Sequence, residues 1–140
     1  KEIALLDILK YVSFQFLGAL LSVASVHYYF GQQIIQISTN SRGGTEMIFS
    51  EVIATFGLII TILFVRKYNP KDVASAVALF ITAGYWFTSS TSFANPAVTV
   101  ARIFTDTFTG ISPASVFNFI IGQLIGSFVA LIFYNKIEKN

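Results

Sequence analysis

Apolar residues fall along this chain in long runs, and polar residues gather in the gaps between them. The runs cover residues 8–30, 47–65, 73–87 and 113–134, each dominated by Leu, Ile, Val, Phe and Ala. A helix needs about 20 mostly apolar residues to cross a bilayer, so the pattern predicts four membrane-crossing helices. A fifth element breaks the rhythm. After the third run the chain enters a patch of small hydroxyl residues, Thr88 to Ser92, and then Asn95 and Pro96 open a short apolar segment, Ala97 to Phe104. Asn is a strong N-cap, and Pro suits a first helical turn because its missing N–H would have no partner there. The segment is too short to span, and 95–107 is expected to be a re-entrant half-helix whose amino end lies inside the membrane. An ordinary Asn-Pro-capped helix in a surface loop is the other reading of the same dipeptide.

Composition supports the membrane reading. Of 140 residues 54% are hydrophobic and 11% charged, against about 25% charged in an ordinary soluble domain. A net charge of +2 is too small and too scattered to argue for nucleic acid. There is no cysteine, which removes disulfide frameworks and thiol chemistry, and no residue set suggests a metal or cofactor. The first apolar run is too long for the core of a signal peptide. The chain begins at Lys1, and the expectation is a piece of a longer protein.

The amino end of a half-helix carries unpaired N–H groups and a partial charge of about +0.5. Irregular backbone at membrane depth is tolerated only where protein buries it or where it lines a watery cavity. Residues 88–98 are therefore a candidate wall of a polar path. Glu51 lies inside the second run, four residues ahead of Thr55. A carboxylate there is expensive and should face the bundle interior with a partner. It is either a proton-coupling site or, as the lack of a second titratable partner favours, an anchor that accepts N–H groups from a non-helical stretch such as 88–94. His27, followed by Tyr28 and Tyr29, reads as an interfacial ring. Gly18, Ser22 and Ser25 share one face of the first helix, and Gly122 and Gly126 stand four apart in the last; both are spacings for close helix packing. Basic residues gather before the first helix, in the turn at 66–71 and in the tail, while the loop after the first helix has only Arg42, so four spans and one re-entrant segment place both termini in the cytoplasm.

Asn95-Pro96-Ala97 between two apolar helices, Glu51 two spans earlier and Gly122-Gln123-x-x-Gly126 afterwards resemble the aquaporin (major intrinsic protein) family. The resemblance covers essentially the whole chain, as the third helix of that fold followed by its second repeat. It implies an all-α membrane protein with four transmembrane helices and one re-entrant half-helix. It also implies a passive channel in which Asn95 donates hydrogen bonds to a passing solute, Pro96 joins the corner contact with an opposite half-helix, and Glu51 braces the loop. The positive helix end would repel cations. A homotetramer of complete barrels in a cell membrane, a bacterial inner membrane by preference, is implied as well.

Two departures from the family pattern matter. The position after Asn-Pro-Ala, where most members carry an arginine, is Val98, and Arg102 follows one helical turn along. Arg102 either looks into the path, about 6 Å farther out, or snorkels to the interface. By spacing, Ala83 and Ser92 take two further filter positions. With Val98 they imply a wide filter, and the stretch is similar to aquaporins of bacterial arsenic-resistance operons, which adds undissociated arsenite to water and glycerol-like solutes. The second departure is the absence of the amino-terminal repeat, expected from the same gene or a second chain. Half of a discontinuous-helix secondary transporter is the competing function. An intramembrane enzyme finds no acid–base pair among His27, Ser90, Ser92 and Asn95.

Overall fold

The computed structural model describes residues 3–139. Helix α1 covers Leu5–Tyr29, α2 Thr45–Tyr68, α3 Val73–Phe87, α4 Pro96–Ala101 and α5 Val116–Glu138. Short 3-10 turns occupy Pro70–Asp72, Arg102–Phe104 and Pro113–Ser115. The described residues contain no strand, and the fold is all-helical. Among the described residues, three helical segments are long and apolar enough to cross a membrane: Leu5–Tyr29, Thr45–Tyr68 and Pro113–Glu138. Helix α3 has 15 residues, about 22 Å at 1.5 Å per residue, short of that length by itself.

The long helices outrun their apolar cores because charged residues fit their ends. Asp7 sits in the first turn of α1 and pairs with Lys10 at 3.2 Å. Glu46 opens α2, and Arg66 and Lys67 close it. Acids at amino ends and bases at carboxyl ends both suit the helix dipole. The half-helix is shorter than the expected 95–107. After Ala101 the backbone tightens into the 3-10 turn and leaves helix at Thr105, which is extended (φ −136°, ψ 117°).

The chain divides into two compact units. One comprises residues up to Ser41 together with Pro96–Val116. Here α1 packs on α4, and the connection after α1 is stitched to the segment after α4. Ser38 N donates to Ile103 O at 2.8 Å, Ser112 N to Asn40 O at 2.7 Å, and Thr39 N to Asp106 Oδ1 at 2.8 Å. The small face of α1 at Gly18 is unpacked, since a Cβ added there meets nothing within 4 Å. No residue in the apolar window of α1 is buried.

The other unit comprises Arg42–Asn95 and Phe117–Asn140, described to Lys139. Ala54, Leu58 and Ala94 form its buried cluster, with Ile62, Val77 and Phe80 against them. Phe80 fits over Gly57, where any Cβ would come within 2.6 Å of the ring. Helix α5 lies close along α2 through Gly122 and Gly126, and Phe56–Phe133 and Phe64–Tyr134 ring pairs follow, at 5.7 and 5.3 Å between centroids. Lys67 and Glu138 close that end as an ion pair.

Candidate functional site

Glu51 is fully buried, and four donors converge on its carboxyl group. Oε1 accepts from Ser90 Oγ at 2.5 Å and Phe93 N at 3.0 Å. Oε2 accepts from Ala94 N at 2.9 Å and Gln123 Nε2 at 2.7 Å. Helix α2 brings the acceptor, α5 brings Gln123, and the segment 88–94 supplies the rest. Two donors on each oxygen occupy the four acceptor directions a carboxylate offers. Ser50, one residue earlier, adds to the hold by accepting from Ser90 N at 3.0 Å.

The segment held in this way is strained. Thr91, Ser92 and Ala94 have φ of 62°, 51° and 47°. The left-handed region costs a residue with a Cβ roughly 1–2 kcal/mol, so the segment needs its external hydrogen bonds. Its side chains are nonetheless withdrawn from solvent: Ser90, Thr91, Ser92, Phe93 and Ala94 are all buried. Thr88 closes α3 by donating through its hydroxyl to Gly84 O at 2.6 Å.

Of the filter positions read from spacing, two lie in this unit. Ser92 packs on Gly84 of α3, so closely that a Cβ on Gly84 would stand 2.6 Å from Ser92 Oγ. Ala83 is the neighbour of that glycine in α3 and is exposed. The structure thus brings Ser92 beside the α3 turn that carries Ala83. Asn95 ends the unit, half-buried. The Asn95–Pro96 peptide is where one unit passes into the other.

In the first unit Ala97, Thr99 and Ala101 of α4 are buried, and Val98 is half-buried. Arg102 does not simply extend outward. Its Nη1 donates to Thr109 O at 3.1 Å, and it lines a cavity of about 280 Å³ with Ser22 and His27 of α1, Thr105 and Thr107. His27 departs from the interfacial ring expected of it. It is 2% exposed, with Nδ1 2.9 Å from Ile34 O and Nε2 2.9 Å from Thr105 Oγ1. A carbonyl can only accept, so Nδ1 carries the hydrogen there. His27 therefore ties the end of α1 to the residue at which the short helix ends. Its partner lies 78 residues away, and no local signal announces it.

No family model matches the chain, and no solved structure matches it. Among curated proteins, aquaglyceroporin AqpS of Rhizobium meliloti (strain 1021) is 44% identical over 125 residues, which is 89% of this chain and 54% of that protein. The chain thus spans about half the length of the curated relative it matches. Identity at this level over nearly the whole chain, on an all-helical fold with Asn95-Pro96-Ala97 at the head of a short helix, leads to one conclusion: the chain belongs to the aquaporin (major intrinsic protein) family.

Proposed function

We propose that the chain is part of a passive membrane channel for water and small uncharged solutes such as glycerol, with undissociated arsenite as a further solute. The observation that carries this is the strained segment 88–94, hung on the buried Glu51, leading directly into Asn95-Pro96 and a six-residue helix. That device holds backbone out of regular helix at the point where a polar path needs donors. The relative named as an aquaglyceroporin supports the solute class.

In this reading Asn95 donates to the solute oxygen, Pro96 and Ala97 form the corner, and Glu51 braces the loop. Ala83, Ser92 and Val98 make a wide filter, with Arg102 one turn farther out. The α3 segment counts as a fourth span, the loop 88–94 enters, and the half-helix that begins at Pro96 returns. Both termini are cytoplasmic. A complementary amino-terminal repeat completes the barrel, and complete barrels assemble as a tetramer in a cell membrane. The full set of donors on Glu51 leaves no acceptor direction for a relay partner, which supports a passive channel over a proton-coupled transporter.

Osmotic swelling of vesicles tests the reading. The chain assembled with a complementary half is expected to pass water and glycerol at rates independent of an imposed proton gradient, and the chain by itself is expected to pass neither. Gradient-driven uptake would point to a transporter instead. A second expectation concerns the filter. Val98→Arg in the assembled channel should lower glycerol relative to water by about tenfold, the effect of ~1.4 kcal/mol on a barrier. Equal loss of both fluxes would contradict a wide filter at Val98.

A further inference from the structure

The connection between α1 and α2 carries one positive residue, Arg42, and the structure sends it to the segment that Glu51 holds. Arg42 Nη1 donates to Ser90 O at 3.3 Å, and its guanidinium carbon stands 5.4 Å from the centre of the Phe93 ring. Both contacts lie inside the unit that contains Ser92, Ala83 and Asn95. Phe93 is itself fixed from behind by Phe119 of α5, with ring centres 5.1 Å apart. A carbonyl and an aromatic face are both good partners for a guanidinium. The side chain is half-buried rather than fully extended into solvent.

Arg42 is not there to stabilise α2. It stands two residues before Gly44, the N-cap of that helix, where the dipole is positive and a cation is unfavourable. Its placement answers instead to the 88–94 segment. Val98 brings no charge to its position, and Arg102 is engaged by Thr109 and the cavity beside α1.

We infer that Arg42 is a specificity-determining residue of the channel: a cation delivered by the outer connection to the 88–94 segment, where it repels cations and donates hydrogen bonds to hydroxylated neutral solutes. The inference rests on the channel reading. A guanidinium cannot lose its charge at ordinary pH, so the barrier to cations is permanent. Its donors have fixed geometry, so they favour a solute oxygen that arrives in the right orientation.

The test uses the full chain assembled with a cysteine-free complementary half. Arg42→Ala is expected to lower glycerol relative to water permeability by about tenfold, the size of one charge-assisted hydrogen bond, and to admit small monovalent cations. Arg42→Lys is expected to keep cations out. A ratio unchanged in Arg42→Ala with no cation leak, or an equal fall in both fluxes at normal membrane level, overturns the inference and reveals a mere brace. Because the chain has no cysteine, Arg42→Cys provides a unique thiol. Aminoethyl thiosulfonate, which restores a positive charge, should close the leak, and the neutral methyl reagent should not; closure by both overturns the inference. Absence of flux in the wild type defeats the channel reading alone. Arg42 is then decided by labelling: the Arg42→Cys thiol should react with the charged reagent from water and react more slowly in saturating glycerol, and no reaction or no protection overturns the proposal.

Discussion

Glu51→Ala is expected to destabilise the protein by about 3–5 kcal/mol and, in the assembled channel proposed above, to abolish flux. The substitution removes the acceptor for Ser90 Oγ, Phe93 N, Ala94 N and Gln123 Nε2 together. An unsatisfied buried donor costs about 1–3 kcal/mol, and water entering the gap recovers part of that for four of them. The functional loss follows from the strain. Thr91, Ser92 and Ala94 hold positive φ only while the amides around them are tethered, and Asn95 follows directly. Glu51→Gln is the informative intermediate. It keeps the shape but sets an NH2 group against two donors on one side of the cradle. Thermal unfolding in detergent checks the order wild type, Gln, Ala. A midpoint for Glu51→Ala equal to that of the wild type would remove Glu51 from the account.

The long helices were legible because hydrophobic runs of spanning length permit little else in a chain this apolar. What the runs concealed was their ends. The first apolar run starts at Ile8, yet its helix begins at Leu5, because Asp7 and Lys10 pair on the helix surface instead of ending it. Apolar continuity through Phe104 points to a half-helix reaching 107. It ends earlier because Thr105 turns its hydroxyl to His27 and because Ile111 N reaches back to Arg102 O at 3.1 Å. Those are tertiary contacts, and no periodicity encodes them.

The candidate site divides along the same line. That Glu51 needed donors followed from the expense of a carboxylate among apolar residues, and the hydroxyl-rich patch before Asn95 was a sensible place to look for them. Which atoms would meet it did not follow. Left-handed φ at Thr91, Ser92 and Ala94 is invisible in a sequence, because these residues rarely adopt it without outside support. The reach of Arg42 to Ser90, 48 residues away, is equally silent. The small face of α1 is a packing face by its spacing, and among the described residues none comes within 4 Å of a Cβ placed on Gly18.

The glycines of α5 give the second large effect. A Cβ at Gly126 would stand 2.5 Å from Val52 O and 3.1 Å from Phe56 N; one at Gly122 would stand 2.7 Å from Ile48 O and 2.9 Å from Glu51 Cβ. The nearest obstacle at each is a backbone oxygen of α2, which cannot swing aside as a side-chain tip could. Even Gly126→Ala must push the helices apart, and it is expected to cost about 1–3 kcal/mol, with Gly126→Leu costing more. The displacement reaches the site, because Gln123 lies on the same helix and its 2.7 Å bond to Glu51 is lost when α5 retreats. Gly126→Leu should therefore lose flux together with stability. Gly18→Ala is the control, with open space around it, and should be neutral or stabilising by up to about 1 kcal/mol from helix propensity alone. Unfolding midpoints for the three variants decide the matter: if Gly126→Ala is as stable as the wild type, α2 and α5 do not approach each other through their backbones, and Glu51 must find its fourth donor elsewhere.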